Sequence, residues 1–166
     1  MAGNDVYWDS CAWLGLINAE PEKVRALEYV YESARRGDFI IWTSTIAYVE
    51  VFRIASEVNA PRPYGDEGLD KIKEVLEQSF IERIPFDVEI GRKARGLRRA
   101  HALTVGDAMH LASALVRNIN PLHTWDDSDL LPLNNSLSCK GGGLLQICVP
   151  SVPPPEGPLF KQRDNL

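Results

Sequence analysis

Short apolar runs alternate along the chain with longer segments that are apolar on one face only. The apolar runs predict strands at 6–8, 39–42, 80–84, 121–125 and 145–149. The amphipathic segments predict helices at 10–18, 21–36, 46–58, 69–78, 87–100 and 104–118. Strands that alternate with helices are typical of an α/β fold, in which right-handed crossovers place helices on both faces of a parallel sheet. We therefore expect a parallel sheet of about five strands covered by helices on both sides.

Residues at the ends of several segments support these bounds. Pro21 and Gly37 have the types that usually begin and follow a helix. Ser44 or Thr43 can cap the third predicted helix, and Asp87 can cap the fifth. The chain therefore contains its own start and stop signals for much of the predicted pattern.

The composition is that of one globular domain. The chain has 166 residues, of which 45% are hydrophobic and 25% charged, so disordered, collagen-like and coiled-coil classes are excluded. Five of the 11 prolines lie in the last 17 residues. We expect a domain over 1–149 followed by an irregular surface tail over 150–166.

Several features indicate a soluble protein that stays in the cytoplasm. No apolar run approaches the ~18 residues of a membrane-spanning helix, and the N-terminal residues lack a basic start and an apolar signal core. The three cysteines are an odd number without CxxC spacing, which fits a reducing compartment. A net charge of −5 argues against a broad nucleic-acid surface, although not against a local one.

Four acidic residues occupy positions where parallel sheets bind ligands. Asp9 and Asp126 follow predicted strands, whose carboxyl ends border the ligand crevice. Glu50 and Asp107 lie in early turns of predicted helices, and Glu50 has apolar neighbours on both sides. Carboxylates that converge repel one another and raise each other's pKa values unless a divalent cation neutralises them. The four acids together therefore predict a metal site.

Each acid taken alone also fits a structural role. Asp9 and Asp126 have the positions of helix caps or turn residues. Asp107 completes a capping box that begins at Thr104, and Glu50 can pair with Arg53 on a solvated edge. The metal interpretation depends on whether the four carboxylates meet.

The chemistry of the acids indicates which ion would bind. Carboxylate oxygens suit Mg²⁺ or Mn²⁺, whereas zinc prefers imidazole or thiolate. His101, His110 and His123 lack ligand spacing, and we interpret His110 as a hydrogen-bonded core residue. The expected cofactor is thus Mg²⁺ or Mn²⁺.

The segments that contain the acids resemble the PIN-domain ribonucleases, in particular the VapC-type toxins. These segments are 6–10, Glu50, 103–114 and 124–126. The resemblance implies a three-layer α/β/α sandwich and metal-dependent endonucleolytic cleavage of RNA, as the toxin of a toxin–antitoxin pair. The metal would help to activate a water and to neutralise charge on the scissile phosphate.

The resemblance also implies roles for individual residues. Asp9, Glu50, Asp107 and Asp126 match the four acids of the family as metal ligands and catalytic residues. Asp127 is the alternative to Asp126, because the acidic stretch 126–129 leaves the fourth acid ambiguous.

Two hydroxyl residues also match the family pattern. Ser10 and Thr124 correspond to positions that order the acids and the water.

A basic helix stands out in this acidic chain. Residues 92–99 contain five cations, and helical periodicity places Arg92, Arg95 and Arg99 on the face opposite Ile90 and Leu97. Such a face either is solvated or binds RNA phosphates beside the metal site. Arg95 matches a basic position of the family.

The partners follow from the second helix and from the resemblance. Tyr29 and Tyr31 give this helix more apolar surface than one buried face requires, which indicates a partner surface. In VapC-type toxins, helices near this position support homodimers and a groove for the antitoxin. The resemblance therefore implies a homodimer and a cognate antitoxin.

Three other functions are less consistent with the residues. A phosphatase with Asp9 as nucleophile would need an acid where Cys11 stands, and a dinucleotide site would need a Gly-rich turn after the first strand. The remaining alternative is a PIN fold that binds RNA or protein without cleaving. The presence of all four acids argues against it.

Overall fold

The computed structural model describes residues 4–153, and these form a parallel sheet with helices on both faces. The strands are β1 (Asp5–Trp8), β2 (Ile40–Ser44), β3 (Ile81–Ile84), β4 (Leu122–His123) and β5 (Ile147–Cys148). The helices are α1 (Ser10–Ile17), α2 (Val24–Arg36), α3 (Ala47–Glu50), α4 (Asp66–Leu76), α5 (Val88–Ala100) and α6 (Val105–Arg117). Short 3₁₀ helices occupy Ala55–Glu57 and Leu131–Leu133.

The strand order creates a crevice at the centre of the sheet. The order is β3-β2-β1-β4-β5 and every pairing is parallel. The chain runs outward from β1 to β3 and then crosses back to β4, so β1 and β4 flank the switch point at which such folds bind ligands. Trp8 pairs with His123, and Asp9 and Thr124 are therefore the next residues on adjacent strands.

Two apolar cores lie on opposite faces of the sheet. Helices α1, α2 and α4 cover one face, where Trp8, Trp13 and Leu27 are fully buried. Helices α5 and α6 cover the other, with Leu111 and Leu115 at its centre. The predicted three-layer α/β/α sandwich with five parallel strands is confirmed.

Three predicted helices have wrong bounds, and one of them is α4, which begins at Asp66 rather than at residue 69 and ends at Leu76 rather than at residue 78. α2 begins at Val24 rather than at residue 21, and α3 ends at Glu50 rather than at residue 58. Val51 leaves the helical conformation, and the chain turns so that Val51 is buried and Ile54 packs against the same core. Tertiary packing explains the shorter helix, because β-branched residues have only a weak preference for it.

Two tyrosines of α2 are partly buried within the domain. Tyr29 and Tyr31 pack against the core, and the Tyr31 hydroxyl donates to the carbonyl oxygen of Val75 at 2.9 Å. Tyr31 also meets Phe80 edge to face. A partner surface on this helix stays a prediction.

Two further expectations concern membrane-spanning helices and the C-terminal tail. Among residues 4–153, no helix is both long and apolar enough to cross a bilayer. The predicted tail over 150–166 falls almost entirely outside the described residues, and the division at residue 149 stays a prediction.

Candidate metal centre

The carboxyl ends of β1 and β4 bring acidic residues from distant parts of the sequence together. Asp9 directly follows β1, and Asp126 lies three residues after the end of β4. Asp107 is in the first turn of α6, and its pKa responds to the charges of Asp126 and Glu50. The four acids predicted from the sequence therefore occupy one region, at the switch point of the sheet.

Three carboxylates are close enough to share one cation. Oxygen atoms of Asp107, Asp126 and Asp129 lie within 4.8 Å of one another, and all three residues are partly buried. Asp127 is exposed and is not part of this cluster. The geometry thus favours Asp126 over Asp127 as the fourth acid.

Asp9 is the most deeply buried acid of the group, with 3% of its surface exposed. Burial raises the pKa of its carboxyl, and the negative charge of Asp107 acts in the same direction. Charge on His110 and a hydrogen bond with the Thr124 side chain oppose this shift. Asp9 also caps α1 by accepting from the Ala12 N–H at 2.9 Å, so its structural role and its place in the acid group coexist.

Asp107 likewise takes part in a helix cap and has a shifted pKa. The Thr104 side chain accepts from the Asp107 N–H at 3.2 Å and its hydroxyl donates to the Asp107 carboxylate. Burial raises the pKa of Asp107, the bond with Thr104 lowers it, and the charges of Asp126 and Asp129 raise it further. Repulsion of this kind is what a bound cation would relieve.

Glu50 is held by a partly buried network rather than by Arg53, which corrects the predicted ion pair. His110 Nε2 lies 2.8 Å from Glu50 Oε2 and 3.0 Å from Ser10 Oγ. The Ser10 hydroxyl donates to the same carboxylate oxygen. Burial acts to raise the pKa of Glu50, but the bonds from His110 and Ser10 outweigh it and leave the pKa lowered.

The network continues into the core through Tyr7. The Tyr7 hydroxyl lies 2.8 Å from His110 Nδ1 and accepts from the Ser44 N–H at 3.1 Å. The His110 ring thus links the Tyr7 hydroxyl, through Nδ1, to Glu50, through Nε2. Two strands and α6 thus fix the position of one carboxylate.

The two predicted hydroxyl residues contact the acids. Ser10 bonds to Glu50, as described above, and Thr124 Oγ1 accepts from the Asp126 N–H at 3.0 Å. Asp126 Oδ1 in turn accepts from the N–H groups of Ser128 and Asp129 at 3.1 and 2.9 Å. This turn brings the carboxylate of Asp129 towards Asp107.

The donor set fits a hard divalent cation. The cluster offers carboxylate oxygens only, which suit Mg²⁺ or Mn²⁺ better than they suit zinc. Cys11, two residues after Asp9, is a poor ligand because burial and the charges of Asp9 and Asp126 raise the pKa of its thiol to about 12.

Sequence reasoning missed Asp129 and the contact of His110 with Glu50. Asp129 had a visible signal, since it stands three residues after Asp126 in an acidic turn. His110 was expected to be a hydrogen-bonded core residue, and it is buried and bonded to Tyr7. Its pairing with Glu50, 60 residues away, had no local signal.

The basic face of α5 forms as its periodicity predicts. Ile90, Ala94 and Leu97 are buried, whereas the predicted RNA-binding residues are exposed: Arg92, Arg95 and Arg99. None of these arginines forms an ion pair with a carboxylate within the described part of the chain. Arg95 and Arg99 border a cavity of about 480 Å³ that Val105 and Met109 also line, on either side of Asp107 in sequence.

Comparison with known proteins places this arrangement in context. The family model of the PIN domain matches residues 6–131. No curated protein matches the chain in sequence.

Three solved structures are similar to the fold. One is VapC20 of Mycobacterium tuberculosis, a toxin that cleaves the sarcin-ricin loop, with a TM-score of 0.57 and 14% identity over 74% of this chain and 91% of that chain. Another is VapBC2 of Rickettsia felis bound to a DNA fragment from its promoter, with a TM-score of 0.53 and 18% identity over 72% of this chain and 86% of that chain. The third is a toxin–antitoxin complex from Klebsiella pneumoniae, with a TM-score of 0.53 and 18% identity over 75% of this chain and 88% of that chain. At these identities the likeness establishes the fold.

Proposed function

Since the chain belongs to the PIN domain family, we propose that it is an endoribonuclease that depends on Mg²⁺ or Mn²⁺, and that it is the toxin of a toxin–antitoxin pair. The observation that supports this proposal most directly is the carboxylate cluster of Asp107, Asp126 and Asp129 at the switch point of the sheet. Asp9 and Glu50 add two further acids beside the cluster.

The acids provide the metal site of the proposed enzyme. Asp107, Asp126 and Asp129 would hold the cation, and Asp9 and Glu50 would complete the negative environment around it. A cation bound there supplies a Lewis acid that polarises a phosphoryl oxygen and lowers the pKa of water.

Residues around the acids keep them in fixed orientations. His110 and Ser10 hold Oε2 of Glu50. Thr124 holds the backbone of Asp126, and Asp9 is anchored at the start of α1. Preorganised groups of this kind do not have to reorient during the reaction, which is a main source of rate enhancement in such sites.

The exposed arginines of α5 support RNA as the substrate. Arg92, Arg95 and Arg99 offer guanidinium groups to a polyanion, although the protein as a whole is acidic. Phosphate contacts position the strand without reading its sequence, so these residues would hold RNA near the acids.

The same proposal includes protein partners. The solved structures that share the fold include toxin–antitoxin complexes, which supports a cognate antitoxin. Exposed apolar side chains in α3 and at the start of α5, among them Val49 and Val88, support a homodimer. All three cysteines are unpaired, in keeping with work in the cytoplasm.

A cleavage assay tests the proposal. Wild-type protein and Asp107→Asn are incubated with single-stranded RNA in Mn²⁺ and in a chelator, and Asp127→Asn serves as a control of the same chemistry outside the cluster. We expect cleavage by wild type and Asp127→Asn in Mn²⁺ only. Equal cleavage in every lane would reject the metal mechanism, and metal-saturable RNA binding without cleavage would favour a PIN module that only binds.

A further inference from the structure

A cluster of two arginines and two aromatic rings lies beside Glu50, in the loop between α3 and α4. Arg53 Cζ lies 5.3 Å from the ring centre of Phe52, and Arg62 Cζ lies 5.8 Å from the same centre. Arg62 Cζ is also 5.5 Å from the ring centre of Tyr64. We call these four residues the Arg53–Arg62 cluster.

The charge of this cluster is not neutralised inside the domain. Glu50, the predicted partner of Arg53, is bonded to His110 instead. Glu57, the only acid of the loop between Glu50 and Asp66, accepts from the Ile54 N–H at 2.9 Å. Within residues 4–153, neither arginine forms an ion pair with a carboxylate.

The aromatic rings hold the guanidinium groups while leaving their N–H donors available. Stacking on a ring uses the flat face of a guanidinium, whereas its five donors lie in the plane. Arg53 Nη1 makes one long contact of 3.5 Å, to the Tyr64 hydroxyl. An arginine that is already held by a ring loses less side-chain entropy when it binds a ligand.

The cluster is continuous with the proposed active site. A cavity of about 340 Å³ is lined by Glu50, Phe52 and Arg53. Leu14 of α1 and Asn18, the residue that follows α1, also line it. Glu50 and Arg53 therefore border the same open space, in which a polyanion beside Glu50 would also lie near Arg53.

We infer that Arg53 and Arg62 bind backbone phosphates of the RNA strand next to Glu50, and that Phe52 and Tyr64 position their guanidinium groups. This inference rests on the proposed function, because it takes RNA as the ligand. It adds a second basic contact to that of α5, so that the strand is held by phosphate contacts from two separate elements. Phosphate contacts of this type set the register of a strand and leave its sequence unread.

Binding of a fluorescein-labelled single-stranded RNA to full-length Asp107→Asn, followed by anisotropy over a potassium chloride series, tests the inference. Arg53→Gln and Arg62→Gln should each weaken binding roughly fivefold at low salt and lower the slope of log K against log salt by about 0.7. Phe52→Leu should weaken binding and leave the slope unchanged, because both charges remain. A structural role in the loop alone would not change the slope.

Two variants serve as controls. Arg35→Gln removes an exposed arginine in the last turn of α2, which leads to the amino end of β2 and not to the carboxyl ends of the strands, and should match the parent. Tyr64→Phe keeps the ring and should stay within about twofold, since a 3.5 Å contact contributes little.

Several results would overturn the inference. The inference is wrong if Arg53→Gln and Arg62→Gln match Arg35→Gln in RNA affinity and in the slope of its salt dependence. Dependence on the two arginines for binding poly-glutamate but not RNA would also overturn it and would assign the cluster to an acidic peptide. RNA cleavage by wild type in Mn²⁺ separates this inference from the proposed function. If wild type cleaves RNA and the two arginine variants bind it like the parent, only this inference is rejected. If no protein binds or cleaves RNA, both are rejected.

Discussion

The carboxylate of Glu50 lies directly against Gly106, the residue that precedes Asp107. A Cβ on Gly106 would lie 2.9 Å from Glu50 Cδ and would overlap Oε1. Glu50 is already fixed on its other side by His110 and Ser10. The first turn of α6 therefore accepts the Glu50 side chain only because residue 106 has no side chain.

Gly106→Ala is expected to displace Glu50 and to lower RNA cleavage at least tenfold, because the carboxylate can no longer occupy its place beside Asp107. Overpacking should also destabilise the fold by about 1–3 kcal/mol. Single-turnover cleavage rates and urea denaturation measure the two effects.

Gly96→Ala is the matched control, since nothing lies within 4 Å of a Cβ at that exposed position of α5. It should stabilise the protein by up to about 1 kcal/mol and leave cleavage unchanged. Equal activity of Gly106→Ala and Gly96→Ala would show that the position of Glu50 does not matter for cleavage.

His110→Leu is expected to destabilise the protein by about 1–3 kcal/mol, because the buried Tyr7 hydroxyl and Glu50 Oε2 both lose a partner. Cleavage should fall as well, since Glu50 is no longer held. His110→Gln keeps a hydrogen-bonding side chain and should recover part of both losses. Urea denaturation of the two variants checks the order, and a leucine variant as stable as wild type would contradict it.

Local patterns predicted the strands and most helix ends, because these depend on neighbouring residues. Asp87 and Thr104 cap α5 and α6 as their residue types indicate, and Gly37 follows α2 with a positive φ. The end of α3 was not predictable in this way, since it depends on Val51 reaching the core.

The candidate site divides in the same manner. The positions of Asp9 and Asp126 after strands predicted that they would meet, because parallel strands end at one edge. The choice of partner for Glu50 required tertiary structure, since Arg53 is one turn away and His110 is 60 residues away. Sequence spacing favours the local pair, and folding selects the buried histidine.

Asp126→Asn and Asp129→Asn are each expected to weaken Mn²⁺ binding, because each removes a charge from the cluster with Asp107. Mn²⁺ at about 100 times its Kd should stabilise wild type by about 2.7 kcal/mol, and the variants should gain much less at the same concentration. Thermal unfolding with and without Mn²⁺ measures this gain.

Asp127→Asn removes the same charge from the neighbouring exposed position and should gain as much stability from Mn²⁺ as wild type does. A larger effect at Asp127 than at Asp126 would exchange the two residues in the proposed site. Asparagine keeps a side-chain oxygen that can accept from Ser128 and Asp129, so the turn itself should survive in Asp126→Asn.

The buried His123 is expected to make the protein less stable in mild acid. Its ring is buried, the Trp8 indole N–H donates to Nδ1 at 3.2 Å, and burial lowers its pKa from 6.5 to about 4. The unfolded chain therefore binds a proton between pH 6.5 and 4 that the folded protein does not, so stability is complete above this range and falls as the pH drops through it. The loss attributable to His123 between pH 7 and pH 4 is about 3 kcal/mol. Urea denaturation over this range should show a shallower decline for His123→Asn than for wild type; parallel curves would mean that His123 titrates alike in both states.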